Sequence, residues 1–222
     1  MVKALPGADG LPTVVRAPYS GLWVEAVRLH FRWRLFKQLY GEEWRVRVLN
    51  DLAMGFFYQM QFIMLDDVVL ASARLLDRDR RTLSLPFLVA RLSKTKAHAD
   101  VPALEARLKR LERLGAPLLA HRNKRIAHAS IRHHPAIVGS VLPGITEDLI
   151  DRYLKSVAEL MRAVATPFGA GAPVGEPVSQ DGDGDTLVWN LFKAADYDSL
   201  IPDAHDRAVR LQGRGWRGSG RS

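Results

Sequence analysis

Apolar and polar positions along this chain recur at helical spacing. From Ser20 to Tyr40, the residues Trp23, Val27, Phe31, Leu35 and Leu39 repeat every four positions, widened by Val24, Phe36 and Tyr40, while Glu25, Arg28 and Arg32 mark the polar side. The pattern predicts an amphipathic helix with Ser20 as its cap. A second helix is predicted from Glu43 to Leu76. Its middle, "LAMGFFYQMQFIMLDDVVLASARLL", is apolar nearly all round, as in a helix at the centre of a bundle. "DRDRRTLS" makes a polar turn, and Ser84 is placed to cap a short third helix, "LPFLVARLSK". Asp100 starts a fourth helix. Pro102 falls in its first turn, where a missing N–H costs nothing, and Leu104, Leu108, Leu111 and Leu114 share a face. Gly115 and Pro117 predict a kink or break after them, and "RHHPAIVGSVLPG" predicts a loop. Thr146, followed by Glu147 and Asp148, begins a helix that reaches about Thr166, with its acids against the positive end of the helix dipole.

No segment alternates as a strand does, and no repeat recurs at a solenoid period. The expected fold is all-α: an antiparallel bundle of four to five helices with a short C-terminal helix and flexible termini. In order, the chain divides into a Pro- and Gly-rich lead over residues 1–18, the helical bundle over 19–166, a Gly/Pro linker over 167–186, a short docking helix over 187–204 and a basic Arg/Gly tail over 205–222.

Composition adds to this picture in three ways. The 222 residues, 47% apolar and 25% charged, suit an ordinary globular protein with a substantial core. The absence of cysteine excludes disulfides and thiolate metal sites, and fits a reducing cytoplasm. The start of the chain is broken by Pro and Gly, unlike a secretory signal. The most apolar run, Phe56–Leu65, is too short to cross a bilayer and ends at Asp66 and Asp67, so a soluble chain with no membrane partner is expected. Finally, the net charge of +8 favours polyanionic partners, nucleic acid before an anionic membrane surface. The surplus is uneven: "HDRAVRLQGRGWRGSGRS" holds five Arg against one Asp.

Candidate chemistry gathers in "LAHRNKRIAHAS", Leu119 to Ser130. On a helix, Arg122 and His128 stand roughly 9 Å apart along the axis and about 120° around it. They can line one groove, or meet their counterparts across a two-fold axis. Lys124 and Arg125 lie four and three residues from His128, and nearby cations favour the neutral, basic form of an imidazole. Such an imidazole beside a fixed guanidinium suits phosphodiester chemistry: His takes a proton from a 2′-hydroxyl, and Arg holds the charge that grows on the phosphate. Cations and His late in a helix equally complement its negative end, and the residues by themselves leave both readings open.

The stretch "RNKRIAH" also fits the Arg-x4–6-His motif of the HEPN superfamily, with a polar residue, Asn123, directly after the Arg. "MLDDVVLASARLLDRDRRTLSLPFLVARL", an intervening helix and then "HRNKRIAHAS" resemble the abortive-infection AbiU branch of that superfamily, over roughly Leu22 to Ala165. The resemblance implies a small all-α bundle that pairs as a homodimer, with Arg and His of both subunits meeting in a cleft at the interface. It implies a metal-independent endoribonuclease, without cofactor, that leaves 2′,3′-cyclic phosphate ends and serves as a toxin or phage-defence effector. Some members are instead non-catalytic modules that bind RNA, a nucleotide or a protein partner. Carried onto this chain, His128 is the general acid/base, Arg122 the phosphate and transition-state clamp, and Asn123 the residue that orients one of them or the RNA. His121, Lys124 and Arg125 are then expected to contact RNA phosphates. A cognate antitoxin protein is a further implied partner.

Other polar residues remain to be placed. Asp66 and Asp67 sit in the most apolar helix, where a carboxylate needs a partner. Arg74 lies two turns on, and Asp77 three residues beyond it. Asp67 and Arg74 either support the site by steering the catalytic pair or form an internal ion pair that sets helix register. His133 and His134 have no companion at metal-ligand spacing. "DGDGD" opens like a calcium loop but has Thr186 and Phe192 where Gly and Glu are needed, and it is expected to be a solvated turn. The tail segment "GRGWRGSGR" suits either loose contact with single-stranded RNA or a solubilising end.

Overall fold

The computed structural model describes residues 8–95, 100–123, 144–170 and 183–199. Among them the chain forms six α-helices and no strand: α1 (Thr13–Tyr40), α2 (Glu43–Leu75), α3 (Leu85–Thr95), α4 (Val101–His121), α5 (Glu147–Ala165) and α6 (Gly184–Ser199), with a 3-10 turn at Thr166–Phe168 closing α5. The fold is all-α, as the apolar spacing predicts. The described residues form two compact units. The first holds residues up to Arg34 and from Phe62 to Ala170; the second holds Leu35–Gln61 and Asp183–Ser199.

In the first unit, α1 starts at Thr13 rather than at Ser20. Residues before it are packed: Ala8 and Leu11 are buried, and Arg16 Nη2 donates to the Asp9 and Leu11 carbonyls at 2.7 and 3.2 Å. Pro18 lies inside the helix and deprives the Val14 carbonyl of its amide partner. Arg91 Nη1 of α3 approaches that same carbonyl at 3.5 Å. The buried face of α1 also differs from the expected one. Val15, Tyr19, Leu22, Ala26, Leu29 and Trp33 are buried, whereas Phe31 is exposed. A strict four-residue repeat advances about 40° per step and spirals off any one face, while alternating steps of four and three average 3.5 and stay on a stripe.

The caps on α3, α4 and α5 form as expected. Ser84 Oγ accepts from the Phe87 amide at 3.3 Å, Asp100 Oδ1 from Ala103 at 3.0 Å and Thr146 Oγ1 from Leu149 at 3.2 Å. The break expected at Gly115 and Pro117 does not occur, and α4 runs on to His121. Gly115 is a point of close approach: a Cβ there would lie 2.2 Å from Leu76 Cδ1 and 3.2 Å from the Tyr153 ring. Tyr153 is fully buried and its hydroxyl donates to the Ser72 carbonyl at 2.8 Å, joining α5 to α2; burial raises the pKa of this phenol well above its ordinary value. Trp33 Nε1 donates to Asp151 at 2.7 Å and joins α1 to α5. Arg78, in the polar turn after α2, reaches Glu112 of α4 at 2.9 Å.

In the second unit, the end of α1 and the start of α2 form a hairpin on which α6 docks. Tyr40 Oη donates to the Phe57 carbonyl at 3.0 Å. Gln38 is buried and its Nε2 donates to Asp183 Oδ2 at 2.8 Å and to Asp185 Oδ2 at 2.7 Å. Arg45 bonds to Asp185 and to the Gln38 carbonyl. Asp183 is itself buried, and its other oxygen caps α6 by accepting from Asp185 and Thr186. The end of "DGDGD" is therefore no solvated turn but the polar anchor of a helix; Asp181 and Gly182 lie outside the described residues.

The expectation for α2 is corrected as well. Helical backbone breaks at Ala53, where φ is −160° and ψ 66°. Leu52, Met54, Phe56, Tyr58, Phe62 and Ile63 are exposed, and most side chains are buried only over Val68–Leu76. An all-round apolar pattern says that any side of a helix can be covered, not which side is.

Two outcomes follow from this packing. Gly115→Val drives a branched side chain into Leu76 and Tyr153; overpacking of this kind costs about 1–3 kcal/mol, against a helix-propensity gain of well under 1 kcal/mol, so urea melts should show a net loss. Asp183→Ala removes the α6 cap and one partner of buried Gln38; the loss of about 1–2 kcal/mol should appear as faster proteolytic cutting within 184–199, with the first unit unaffected.

Candidate functional site

The buried stripe of α4 runs through Leu104, Leu111, Gly115, Leu118 and His121. Steps of seven, four, three and three keep these residues on one face, and that register decides where the following side chains go. His121 is only 9% exposed and belongs to the stripe.

Arg122 comes one position later and is half-buried, and Asn123 is exposed. The Arg122 amide is shared between the Leu118 and Leu119 carbonyls, so the backbone is still helical at this residue. Arg122 Nε donates to Asn123 Oδ1 at 2.9 Å. Among the described residues this is the bond that the guanidinium makes. It occupies the single Nε donor, fixes the guanidinium plane relative to the side-chain amide and leaves the two Nη groups, the fork that matches a phosphate edge. The negative end of the α4 dipole lies at the same place and favours a cation there. Lys124, Arg125 and His128 lie outside the described residues, so of the expected site the structure brings together Arg122 and Asn123.

Asp67 has a different partner from the one expected. Its Oδ2 is 3.2 Å from Arg32 Nε of α1, and Arg74 is exposed in the last turn of α2. The internal Asp67–Arg74 pair is thus corrected to an α1–α2 pair. Arg32 Nη1 is buried with no hydrogen-bond partner among the described residues. Sequence reasoning assigned Arg32 to the polar side of α1. Its place between the buried Leu29 and Trp33 was the signal that it flanks the core. Asp77 accepts from the Asp79 amide at 2.8 Å and shapes the turn after α2. In that turn Arg81 bonds to Asp79 and holds its carboxyl below the usual range. Among the described residues, no group of three His, Asp or Glu side chains converges as a metal site, and no helix is long and apolar enough to cross a membrane.

Comparison with known proteins adds a family. The family model HEPN_AbiU2, described as AbiU2, matches residues 15–211. The match is wider than the resemblance over Leu22–Ala165, since it takes in all but the first two residues of α1 and all of α6. No curated protein and no solved structure matches the chain.

The Arg32–Asp67 pair gives a direct test of the two roles left open for Asp67. Asp67→Ala leaves Arg32 part-buried without its carboxylate and should cost about 1–2 kcal/mol in urea melts, below the cost of breaking a fully buried pair because both side chains keep solvent contact. Arg32→Met removes the charge as well and should cost less than about 1 kcal/mol. Equal losses from the two variants would show that the residual charge is not what matters.

Proposed function

The chain belongs to the HEPN AbiU2 family, and we propose that it is a metal-independent endoribonuclease acting as a toxin or abortive-infection effector, with its active site at a homodimer interface. The observation that supports this most is the Arg122–Asn123 pair. A guanidinium at the end of α4, its Nε occupied by the neighbouring amide oxygen at 2.9 Å, is oriented before any substrate arrives. Preorganised donors of this kind stabilise charge as it develops, with no reorganisation at the moment of reaction.

In this reading His128 takes the proton from an RNA 2′-hydroxyl. The O2′–P bond forms, the P–O5′ bond breaks, and the leaving 5′-oxygen receives a proton, which leaves a 2′,3′-cyclic phosphate. Arg122 holds the added negative charge on the phosphoryl oxygens, and Lys124 and Arg125 supply phosphate contacts along the strand. Asn123 acts through Arg122 and is a positioning residue. Such an enzyme works in the cytoplasm, where its RNA is, and a cognate antitoxin protein restrains it.

Purified protein should cut RNA in excess EDTA. His128→Ala should slow cleavage by about 10²–10⁴-fold, and Arg122→Ala by about 10²–10³-fold, with helical circular dichroism unchanged. Cleavage that persists in both variants removes the site assignment. Wild-type protein that shifts RNA in a gel but never cuts it points to the non-catalytic member of the family, a module that grips phosphate without breaking bonds.

A further inference from the structure

The second unit carries, on α6, a surface that the ribonuclease chemistry does not use. Asp185, Trp189, Phe192 and Asp196 follow one another at steps of four, three and four, which keeps them on one stripe of the helix. Trp189 is 53% exposed and Phe192 43%. Their rings stack at 5.8 Å, 13° from parallel, and Lys193 Nζ lies 5.2 Å from the Trp189 centroid. The stripe thus presents two aromatic rings between two carboxylates, and a cation already rests on one of the rings. Ring faces are electron-rich, so this surface suits ammonium and guanidinium groups.

Charge narrows what the occupant is. The described residues of this unit hold seven Asp and Glu against four Lys and Arg, in a chain of net charge +8. Three of those cations are engaged within the unit: Arg45 with Asp185 and the Trp44 ring, Arg47 with Glu43, and Lys193 with the Trp189 ring. Such a unit repels a polyanion and attracts a cationic chain. One lies next to it in sequence. Residues 205–222 hold five Arg against one Asp, with Trp216 among them. The end of α6 at Ser199 is ten residues from Trp189, about 15 Å along the helix. Arg207, the first of the five Arg, is eight residues past Ser199, and eight extended residues span about 26 Å. The chain therefore has the length to turn back and lay Arg207 and Arg210 along the stripe. Attachment to the same helix gives the segment an effective concentration of about a millimolar, so contacts that are weak singly are still made.

We propose that residues 205–222 dock on the Trp189–Phe192 face of α6 in the same chain, with Arg side chains over the rings and beside Asp196. The contact is independent of the ribonuclease chemistry, and its test needs no RNA cleavage.

Trypsin cutting of the full chain after Arg207 and Arg210 is the first measurement. At low salt these bonds should be cut about fivefold more slowly than in a free peptide of residues 200–222. In about 0.5 M NaCl, which screens exposed charges, the two rates should converge. Trp189→Ala combined with Phe192→Ala should abolish the protection, and Asp196→Lys, which keeps both rings in place, should remove about half of it. The second measurement leaves α6 unaltered: replacing Arg207, Arg210, Arg214, Arg217 and Arg221 by Gln should shift the indole N–H signal of Trp189 in the NMR spectrum, equally at every protein concentration. A tail cut as fast as the free peptide, or a Trp189 signal indifferent to the five replacements, overturns the proposal. Protection that grows with protein concentration puts the tail on a neighbouring chain and overturns it as well. So does a single-stranded RNA oligonucleotide that shifts the Trp189 signal in the Gln-replaced chain, since the face then takes RNA.

Discussion

The close approach of three helices around Tyr153 is the constraint on which the first unit depends. The hydroxyl of Tyr153 is buried and donates to the Ser72 carbonyl of α2. That bond satisfies a polar group that would otherwise be costly to bury, and fixes how far α5 can slide along α2. Gly115 lets α4 close onto the same ring, because any side chain there would occupy the space of Leu76. Arg122 follows Gly115 by seven residues, about two helical turns or roughly 10 Å along α4. The position of the guanidinium is therefore set by packing two turns away, and its bond to Asn123 makes the last adjustment in its direction.

What was legible in the sequence follows from the range of the interactions involved. The caps at Ser84, Asp100 and Thr146 are bonds between a side chain and an amide three residues on, so spacing alone reveals them. The Arg-x4–6-His motif is local in the same sense, and one of its two ends, with the adjacent Asn123, is where the structure describes it. The partner of Asp67 is another matter. Arg74 is near in sequence, but Arg32 is near in space, and only the packing of α1 against α2 decides between them. The α1 register failed for a related reason: Trp23, Val27 and Phe31 form a visible four-residue repeat, yet the buried set follows the alternation of four and three that keeps to one stripe. Gly115 and Pro117 show the limit of punctuation rules. A glycine weakens an isolated helix, but inside a core it can be the residue that allows the helix to pack.

The second unit shows a different balance between polar and apolar groups. Beside buried Leu39, Leu49 and Val188 its interior holds a polar contact: Gln38 lies between Asp183 and Asp185, with Arg45 bonded to the second carboxylate and to the Gln38 carbonyl. Its exterior along α2 is apolar. A buried network of this kind adds little net stability over an apolar contact, but each member accepts only a partner of the right geometry. It therefore fixes α6 in one register on the hairpin. The exposed aromatic pair of α6 shows the result, with the Trp189 and Phe192 rings stacked at 5.8 Å and Lys193 Nζ 5.2 Å from the Trp189 centroid.

The polar contact bears on why the apolar run of α2 survives outside a core. An exposed hydrophobic helix is an aggregation hazard when its conformation is loose, because many partners then fit it. Held by a specific polar network, the hairpin offers one shape and excludes most of the others. The absence of cations from Val48 to Ala73 in a chain of net charge +8 has the same sense. It separates that run along the sequence from the basic stretch that begins at Arg122, so that apolar residues and clustered cations do not share a segment. The two chemistries of the chain, cationic after α4 and neutral along α2, are in this way kept apart by sequence before any folding takes place.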